Sequence, residues 1–248
     1  MAKIFPLSEG SFTVGHDKEF TPFNLDSDEL NSRSIGSLLV EVQPFLVITE
    51  RDIMILDTGL GFRADNGELQ IHNNLRACGY EPYEVTKVLL SHLHKDHVSG
   101  VVFTDDKGIT RTTFPEAAYY IYRAEADYAL QNGYPSYPKA LIESLLSSSQ
   151  VEWLDGEEGL IDGYIHFTHS GAHCPQHIVF LIEDGTEKIF YGGDEAPQLK
   201  QMKIKYVAKY DYDGKKAMAL REQYALQGHK DNWQFLFYHD VKTPIASL

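Results

Sequence analysis

The sequence predicts an α/β protein of the α+β kind, in which strands pack into sheets and helices lie outside them. Three observations lead there. Short β-rich runs come in two sets with helical segments between them. Hydrophobic residues make up 43% and charged residues 23%, as in ordinary globular chains. No apolar run approaches the roughly 20 residues that a membrane helix needs. At 248 residues the chain can bury a core without staples, and a single domain over 1–248 is expected.

In chain order, Ser37 to Val42, Pro44 to Thr49 and Ile53 to Asp57 read as consecutive strands of an antiparallel meander, punctuated by Pro44 and by Glu50, Arg51 and Asp52. Leu69 to Cys78 reads as a helix ended by Gly79, because glycine accepts the left-handed conformation after a helix. Val85 to Leu90 is an apolar strand that delivers Ser91 and His92 at its end. Ala118 to Tyr122 suits a strand, Arg123 to Gln131 a helix closed by Asn132 and Gly133, Tyr134 to Pro138 a loop, and Lys139 to Ser148 a second helix.

Strands are then expected near Val151 to Leu154, Tyr164 to Thr168, Ile178 to Glu183 and Lys188 to Tyr191. Glu183 to Thr186 joins the last two as a hairpin. Asp213 to Gln227 reads as helical and Gln234 to Tyr238 as the final strand. There is no internal repeat, low-complexity tract or linker.

A formal net charge of −14 repels phosphate backbones and weighs against a nuclease that holds extended nucleic acid. Lys200, Lys203, Lys205 and Lys209 form a basic cluster that reads as a solvated face. Two cysteines, Cys78 and Cys174, are too few for a disulfide framework. The first ten residues lack the apolar stretch of a signal peptide, so a cytoplasmic address is expected, with no membrane partner.

The chemistry gathers in the run from Ser91 to His97. His92, His94, Asp96 and His97 place four metal-ligating side chains within six residues, where an apolar strand gives way to a loop. With this chain's own His and Asp frequencies, chance would produce that spacing on the order of one or two times in a thousand. One local cluster cannot fill two coordination spheres. Further candidates follow other apolar runs: His173 and His177 after the strand at Tyr164 to Thr168, Asp194 after Tyr191, and His239 after Phe237 and Tyr238.

These residues resemble the metallo-β-lactamase superfamily, with its His-x-His-x-Asp-His motif followed by a Gly-His-like turn, a Gly-Asp turn and a late His. The resemblance spans roughly residues 35–240. It implies a four-layer αββα sandwich, two mixed β-sheets face to face with helices outside. It also implies two divalent metal ions, zinc first, with iron or manganese compatible with the same ligands. His92, His94 and His173 would hold one metal, Asp96, His97 and His239 the other, and Asp194 would bridge them. Asp57, in Ile55-Leu-Asp57-Thr-Gly59, would orient ligands by hydrogen bonding.

By the same resemblance, a metal-bridging hydroxide attacks the substrate, and Asp96 passes the proton to the leaving group. His177 is expected to act in packing or in support of a ligand. His16, His72 and His166 are expected to have no part, and Cys174 is not a ligand.

The substrate class follows from departures within the superfamily. The short segment after His239 leaves no room for the helical domain of glyoxalase II-like thioesterases. Asp194 stands where most zinc β-lactamases carry Cys, and His94 where flavodiiron reductases carry Glu. Thr113 to Asp127 is similar to the lactonase and methyl parathion hydrolase-like branch. The resemblance therefore implies a lactone or related ester as small-molecule substrate, acted on in the manner of acyl-homoserine lactone lactonases, and a homodimer. Phosphotriester, phosphodiester or thioester hydrolysis, or a non-catalytic metal-binding protein that retains the fold, are the alternatives. Tyr134 to Pro138, Phe20 and Phe23 are expected to wall the substrate site, and Tyr206, Tyr210 and Tyr212 are candidates for a phenol near the reacting carbonyl.

Overall fold

Runs rich in Val, Ile, Leu and Phe become strands because their branched and aromatic side chains pack on a pleated surface. The structure, a computed structural model, describes residues 2–105 and 107–248; Met1 and Asp106 lie outside the described residues. The N-terminal half contains β1 (Lys3–Pro6), β2 (Gly10–Val14), β3 (Phe20–Pro22), β4 (Leu38–Val42), β5 (Phe45–Ile48), β6 (Ile53–Leu56), α1 (Gln70–Ala77), β7 (Lys87–Leu89), α2 (Lys95–Val98), β8 (Val102–Thr104) and β9 (Thr110–Thr112). Then follow β10 (Ala118–Tyr122), α3 (Arg123–Asn132), α4 (Lys139–Leu146), β11 (Val151–Leu154), β12 (Glu158–Ile161), β13 (Ile165–His169), β14 (Ile178–Asp184), β15 (Glu187–Tyr191), α5 (Leu199–Lys203), α6 (Gly214–Asp231), β16 (Gln234–Leu236) and β17 (Ile245–Ala246).

Among the described residues these strands build two six-stranded sheets, ordered β1-β5-β6-β7-β10-β11 and β12-β13-β14-β15-β16-β17. Both are mixed. In the first, β6, β7, β10 and β11 run parallel, while β1, β5 and β6 are antiparallel neighbours. In the second, only β15 and β16 pair in parallel. A three-stranded sheet, β3-β2-β4, and the hairpin β8-β9 complete the set.

Alternating side chains on each strand go to opposite faces, and the apolar residues separate accordingly into three cores. Phe45, Val47, Met54 and Leu56 of the first sheet meet Ile165, Phe180, Ile182 and Tyr191 of the second. The other face of the first sheet, with Leu46, Ile55 and Val88, packs on Ile71 and Leu75 of α1 and Ile142 and Leu145 of α4. The outer face of the second sheet, with Phe190, Phe235 and Phe237, packs on Tyr224 of α6 and Met202 of α5. The order is therefore helix, sheet, sheet, helix, the expected four-layer αββα sandwich. Each fully buried Val, Leu, Ile or Phe contributes about 1.5–3 kcal/mol. No described helix is long and apolar enough to cross a membrane.

Three expectations need correction. Residues 37–57 do form three strands, but they are not one meander: β4 leaves the first sheet and pairs with β2. The bend lies at Gln43 and Pro44. Proline has no N–H to continue a ladder, its carbonyl accepts from Leu7 N–H, and the buried Gln43 amide donates to the carbonyls of Phe237 and Asp240. The strand expected over Gln234 to Tyr238 ends at Leu236, and β17 returns beside it as a further strand. The helix expected over Asp213 to Gln227 begins at Gly214, capped by the Asp213 carboxylate accepting from Lys216 N–H, and continues to Asp231.

Candidate metal centre

The first sheet delivers its ligating side chains at the end of β7, whose three residues are all buried. Asp57, in the left-handed conformation with φ 53°, ends β6 beside it. Its Oδ1 accepts from Ser91 N–H at 2.8 Å and its Oδ2 from Ser91 Oγ at 2.7 Å, from His97 Nδ1 at 2.7 Å and from the Tyr191 hydroxyl. Both Asp57 oxygens are thus filled by donors from Ser91, His97 and Tyr191. Ser91 Oγ also accepts from His92 Nδ1 at 3.0 Å. α2 is a single turn that begins right after His94 and turns Asp96 and His97 back toward β7.

The second sheet delivers the rest. His173 follows β13, and its N–H and that of Ala172 donate to the buried Glu195 carboxylate at 2.9 and 2.8 Å. Asp194 lies in the turn after β15, where Gly193 has φ 48° and leaves room only for hydrogen: a Cβ there would lie 2.7 Å from Ser91 Oγ and 2.9 Å from His177 Nε2. His177 is buried, donates from Nδ1 to Ser170 Oγ at 3.0 Å, and accepts from Asp194 N–H at Nε2, 3.2 Å away. Its role is to hold the Asp194 turn. His239 follows β16 and donates from Nδ1 to the Glu41 carbonyl at 2.6 Å.

His92, His97, His173 and His239 each have Nδ1 occupied by a neighbour, Ser91, Asp57, Asp211 and the Glu41 carbonyl respectively, which leaves Nε2 facing the centre. His94 differs, turning Nδ1 inward, 3.0 Å from His92 Nε2 and 3.1 Å from His173 Nε2. The inward atoms of His92, His94, His173 and Asp194 all lie within 4.8 Å of one another, as do those of Asp96, His97 and His239. Asp194 joins the two groups. Its Oδ2 is 3.1 Å from His173 Nε2, and its Oδ1 is 3.2 Å from His97 Nε2 and 3.0 Å from His239 Nε2. Asp96 Oδ2 closes the second group at 3.6 Å from His97 Nε2 and 3.4 Å from His239 Nε2.

These distances suit metal ions. Ligands about 2.0–2.1 Å from a tetrahedral zinc stand about 3.3 Å from one another, the spacing seen here. His97 Nε2 and Asp194 Oδ1 are buried yet make no hydrogen bond of good geometry, and such groups call for an unseen partner. The donor set of imidazoles and carboxylates is one that borderline divalent metals accept.

The charges agree. Burial pushes the imidazoles of His92 and His94 well below the usual histidine range, reinforced for His92 by His97 and for His94 by His173. Burial acts the same way on His97 and His239, but the carboxylates around them, Asp194 foremost, outweigh it and raise both. Asp194 is held well below the carboxylate range: burial opposes this, and the imidazoles of His239, His97 and His173 overcome it.

Several residues that support the centre escaped the sequence reading. Asp211, buried, accepts from His173 Nδ1 at 3.0 Å, and the fully buried Arg221 lies 3.7 Å from its other oxygen. Arg221 also donates to the carbonyls of Tyr206 and Glu195, at 2.7 and 3.3 Å. The one available signal was Asp211 among tyrosines before a helix, which does not by itself point to His173. Cys174 is buried with Sγ 3.7 Å from the Glu125 carboxylate, in none of the described metal-ligating groups. His72 donates from Nε2 to the Thr113 carbonyl and His166 pairs with Glu183, away from the centre.

The centre opens into a cavity of about 390 Å³. Of the expected walls, Phe20 and Ser136 line it, but Phe23 and Tyr134 do not. Tyr137 is buried beneath His94, with ring centroids 4.8 Å apart. Tyr206 and Tyr210 line the cavity and Tyr212 does not. Lys200, read as part of a solvated face, also lines it.

Comparison with known proteins agrees with the geometry. N-acyl homoserine lactonase from Bacillus sp is 28% identical over 185 residues, which cover 66% of this chain and 67% of that protein. Atrochrysone carboxyl ACP thioesterase from Passalora fulva is 27% identical over 60% of this chain and 36% of its own length. Among solved structures, a probable metal-dependent hydrolase from Staphylococcus aureus superposes with TM-score 0.77 at 21% identity, over 99% of this chain and 92% of that one. AidC, a dizinc quorum-quenching lactonase in complex with a product, does so with TM-score 0.75 at 21% identity, over 99% and 90%. The metallo-beta-lactamase superfamily profile matches residues 40–229, from β4 to the end of α6 and across all the inward-facing ligands but His239, and the chain belongs to that superfamily.

Proposed function

We propose that this protein is a dinuclear metal-dependent hydrolase that opens a lactone or related carboxylic ester. The observation that carries the reading is Asp194, whose two carboxylate oxygens face two separate groups of ligating atoms. His92, His94 and His173 would hold one ion, Asp96, His97 and His239 the other, and Asp194 would touch both. A bound pair of divalent cations supplies a water of lowered pKa and a Lewis acid for the carbonyl oxygen. Zinc suits these ligands, as do iron and manganese.

The chain's own groups then organise the reaction. The apolar wall of Val14, Phe20 and Val40 receives the substrate carbon skeleton and excludes bulk water. Asp96 lines the cavity and would take the proton of the attacking water and give it to the departing alkoxide. In that step a carbon–oxygen bond forms from water, the ester carbon–oxygen bond breaks, and the proton ends on the leaving oxygen. Asp57 accepts the Nδ1 proton of His97 and so orients Nε2 toward the centre. Relatives named as lactonases support the lactone or ester substrate.

The test is hydrolysis of a panel of lactones, aryl esters, thioesters and phosphotriesters by protein loaded with zinc or manganese, with and without chelator. Chelator-sensitive turnover of lactones or aryl esters is expected. Full metal loading with no turnover of any panel member would refute the reading.

A further inference from the structure

We infer that the cavity above the metal centre is built for an anionic substrate: an ester or lactone that carries a carboxylate or phosphate beyond the scissile carbonyl. The inference rests on the hydrolase reading above and adds to it the charge of the molecule recognised.

Apart from the metal-ligating residues, the charged side chains lining the cavity are Lys18, Arg33, Lys95 and Lys200. All four are basic, in a chain with 36 acidic and 22 basic residues. Drawn at random from that composition, four basic residues in four would occur about once in fifty. None of the four forms an ion pair among the described residues, although Lys205, shortly after α5, pairs with Glu222 at 3.2 Å.

Two of the four are held by neutral partners, positioned without being neutralised. Arg33 donates to the carbonyls of Leu30 at 3.2 Å and Ser37 at 3.5 Å. The Lys95 ammonium stands 5.6 Å from the centre of the Phe20 ring. Lys18 lies in the turn between β2 and β3 with φ 62°, a left-handed conformation that a side chain other than Gly or Asn rarely adopts. Strain of this kind, of order 1 kcal/mol or more, persists where the surroundings impose it and collects at functional sites. Here it turns a lysine toward the centre, where its charge is felt by His94.

Three of these four are half-buried, and Lys200 stands at the exposed edge of α5. They come from three separate parts of the chain, the β2-β4 region, α2 and α5, and meet only at this cavity. Val14, Leu38 and Val40 line the same cavity. The cavity therefore offers a substrate three kinds of surface: the cluster of ligating atoms for the carbonyl, apolar side chains, and four unpaired cations. A low-dielectric wall beside unpaired cations strengthens their pull on an anion and raises its local concentration.

A matched pair of esters separates this inference from the hydrolase reading. Phenyl valerate and monophenyl glutarate share the leaving group and acyl length and differ in the terminal carboxylate. The metal-loaded protein is expected to prefer monophenyl glutarate by about tenfold or more in kcat/KM, with the preference shrinking as KCl is raised. In the Lys18→Gln, Lys200→Gln double variant the preference should fall at least about fivefold. Gln keeps the left-handed strain at position 18 no worse than Lys, and position 200 is exposed, so folding is not at stake.

Turnover of both esters with no preference, or a preference unmoved in the double variant, would overturn the anion site and leave the hydrolase intact. If neither ester is turned over, calorimetry with glutarate and valerate decides. Tighter binding of glutarate that weakens in the double variant supports the site, and equal binding of the two overturns it.

Discussion

Asp194 and Asp211 act on His173 from opposite sides of its ring, and substitutions there separate ligation from positioning. Asp194→Asn keeps the shape and removes the charge shared by the two groups of ligands. Metal content and hydrolysis should fall together, which elemental analysis and a turnover assay on the same preparation would check. Asp211→Asn leaves every inward-facing atom in place but offers His173 Nδ1 a neutral partner. Loss of such a partner weakens metal binding by about 10–100-fold. Chelator competition should therefore show tighter metal in the wild type, with stoichiometry recovered in the variant at higher metal concentration.

A pH effect also belongs to this scale. Burial raises the Glu9 carboxyl from 4.5 to about 7, against hydrogen bonds from the backbone at Leu60, Phe62 and Gly61. The folded protein therefore binds this proton more tightly than the unfolded chain does. The resulting stability is present below pH 4.5 and is lost as pH rises through about 7. Glu9→Gln should remove that slope, so that urea unfolding finds the variant more stable than wild type at pH 8, by up to about 3 kcal/mol, with the gap narrowing toward pH 5.

At the scale of elements, the centre depends on how tightly α2 is pressed against the turn after β6. Thr58 N–H and Oγ1 donate to the His97 carbonyl at 2.7 and 3.0 Å, and Gly100 N–H donates to the Gly59 carbonyl at 3.3 Å. A Cβ on Gly100 would lie 2.1 Å from the Thr58 carbonyl oxygen, so the two backbones must part if any side chain is added. Gly100→Ala should cost several kcal/mol of stability and loosen the ion proposed for Asp96 and His97 before the other proposed ion. Chemical unfolding with a metal titration reads both effects; unchanged stability would mean that the loop gives way at no cost.

The sheets were legible as strands but not as a layout. Ala118 to Tyr122 and Val151 to Leu154 follow from apolar runs between turn residues, and the helix after Arg123 from its closing glycine. The partner of β4 did not follow, because it is set by the bend at Gln43, whose side chain bonds nearly two hundred residues away at Phe237. The short strands near the N-terminus, β1 to β3, have too few apolar positions to show a period.

Across the whole molecule, two sheets from distant parts of the chain present one centre between them. The inward-facing side chains were readable because residues at strand ends keep their order in the sequence. His97, His173 and Asp194 each need a supporting group, and those groups were legible only where a turn motif marked them, as at Asp57. Asp211, Glu195 and the four cavity cations gave no such mark, since they are brought in by tertiary packing.

Because the candidate metal-ligating side chains come from both sheets, bound metal should brace the fold. Chelation should lower the midpoint of thermal unfolding by several degrees, scaling with the logarithm of metal concentration over its dissociation constant. An unfolding midpoint indifferent to chelator would place any metal away from the junction of the sheets.

The central claim is that Asp194 joins two ion sites rather than serving one. Elemental analysis of the purified protein after equilibration with excess zinc and gel filtration tests it most directly. The account predicts close to two zinc ions per chain, falling in Asp194→Asn. One ion per chain, or two that Asp194→Asn does not disturb, would contradict it.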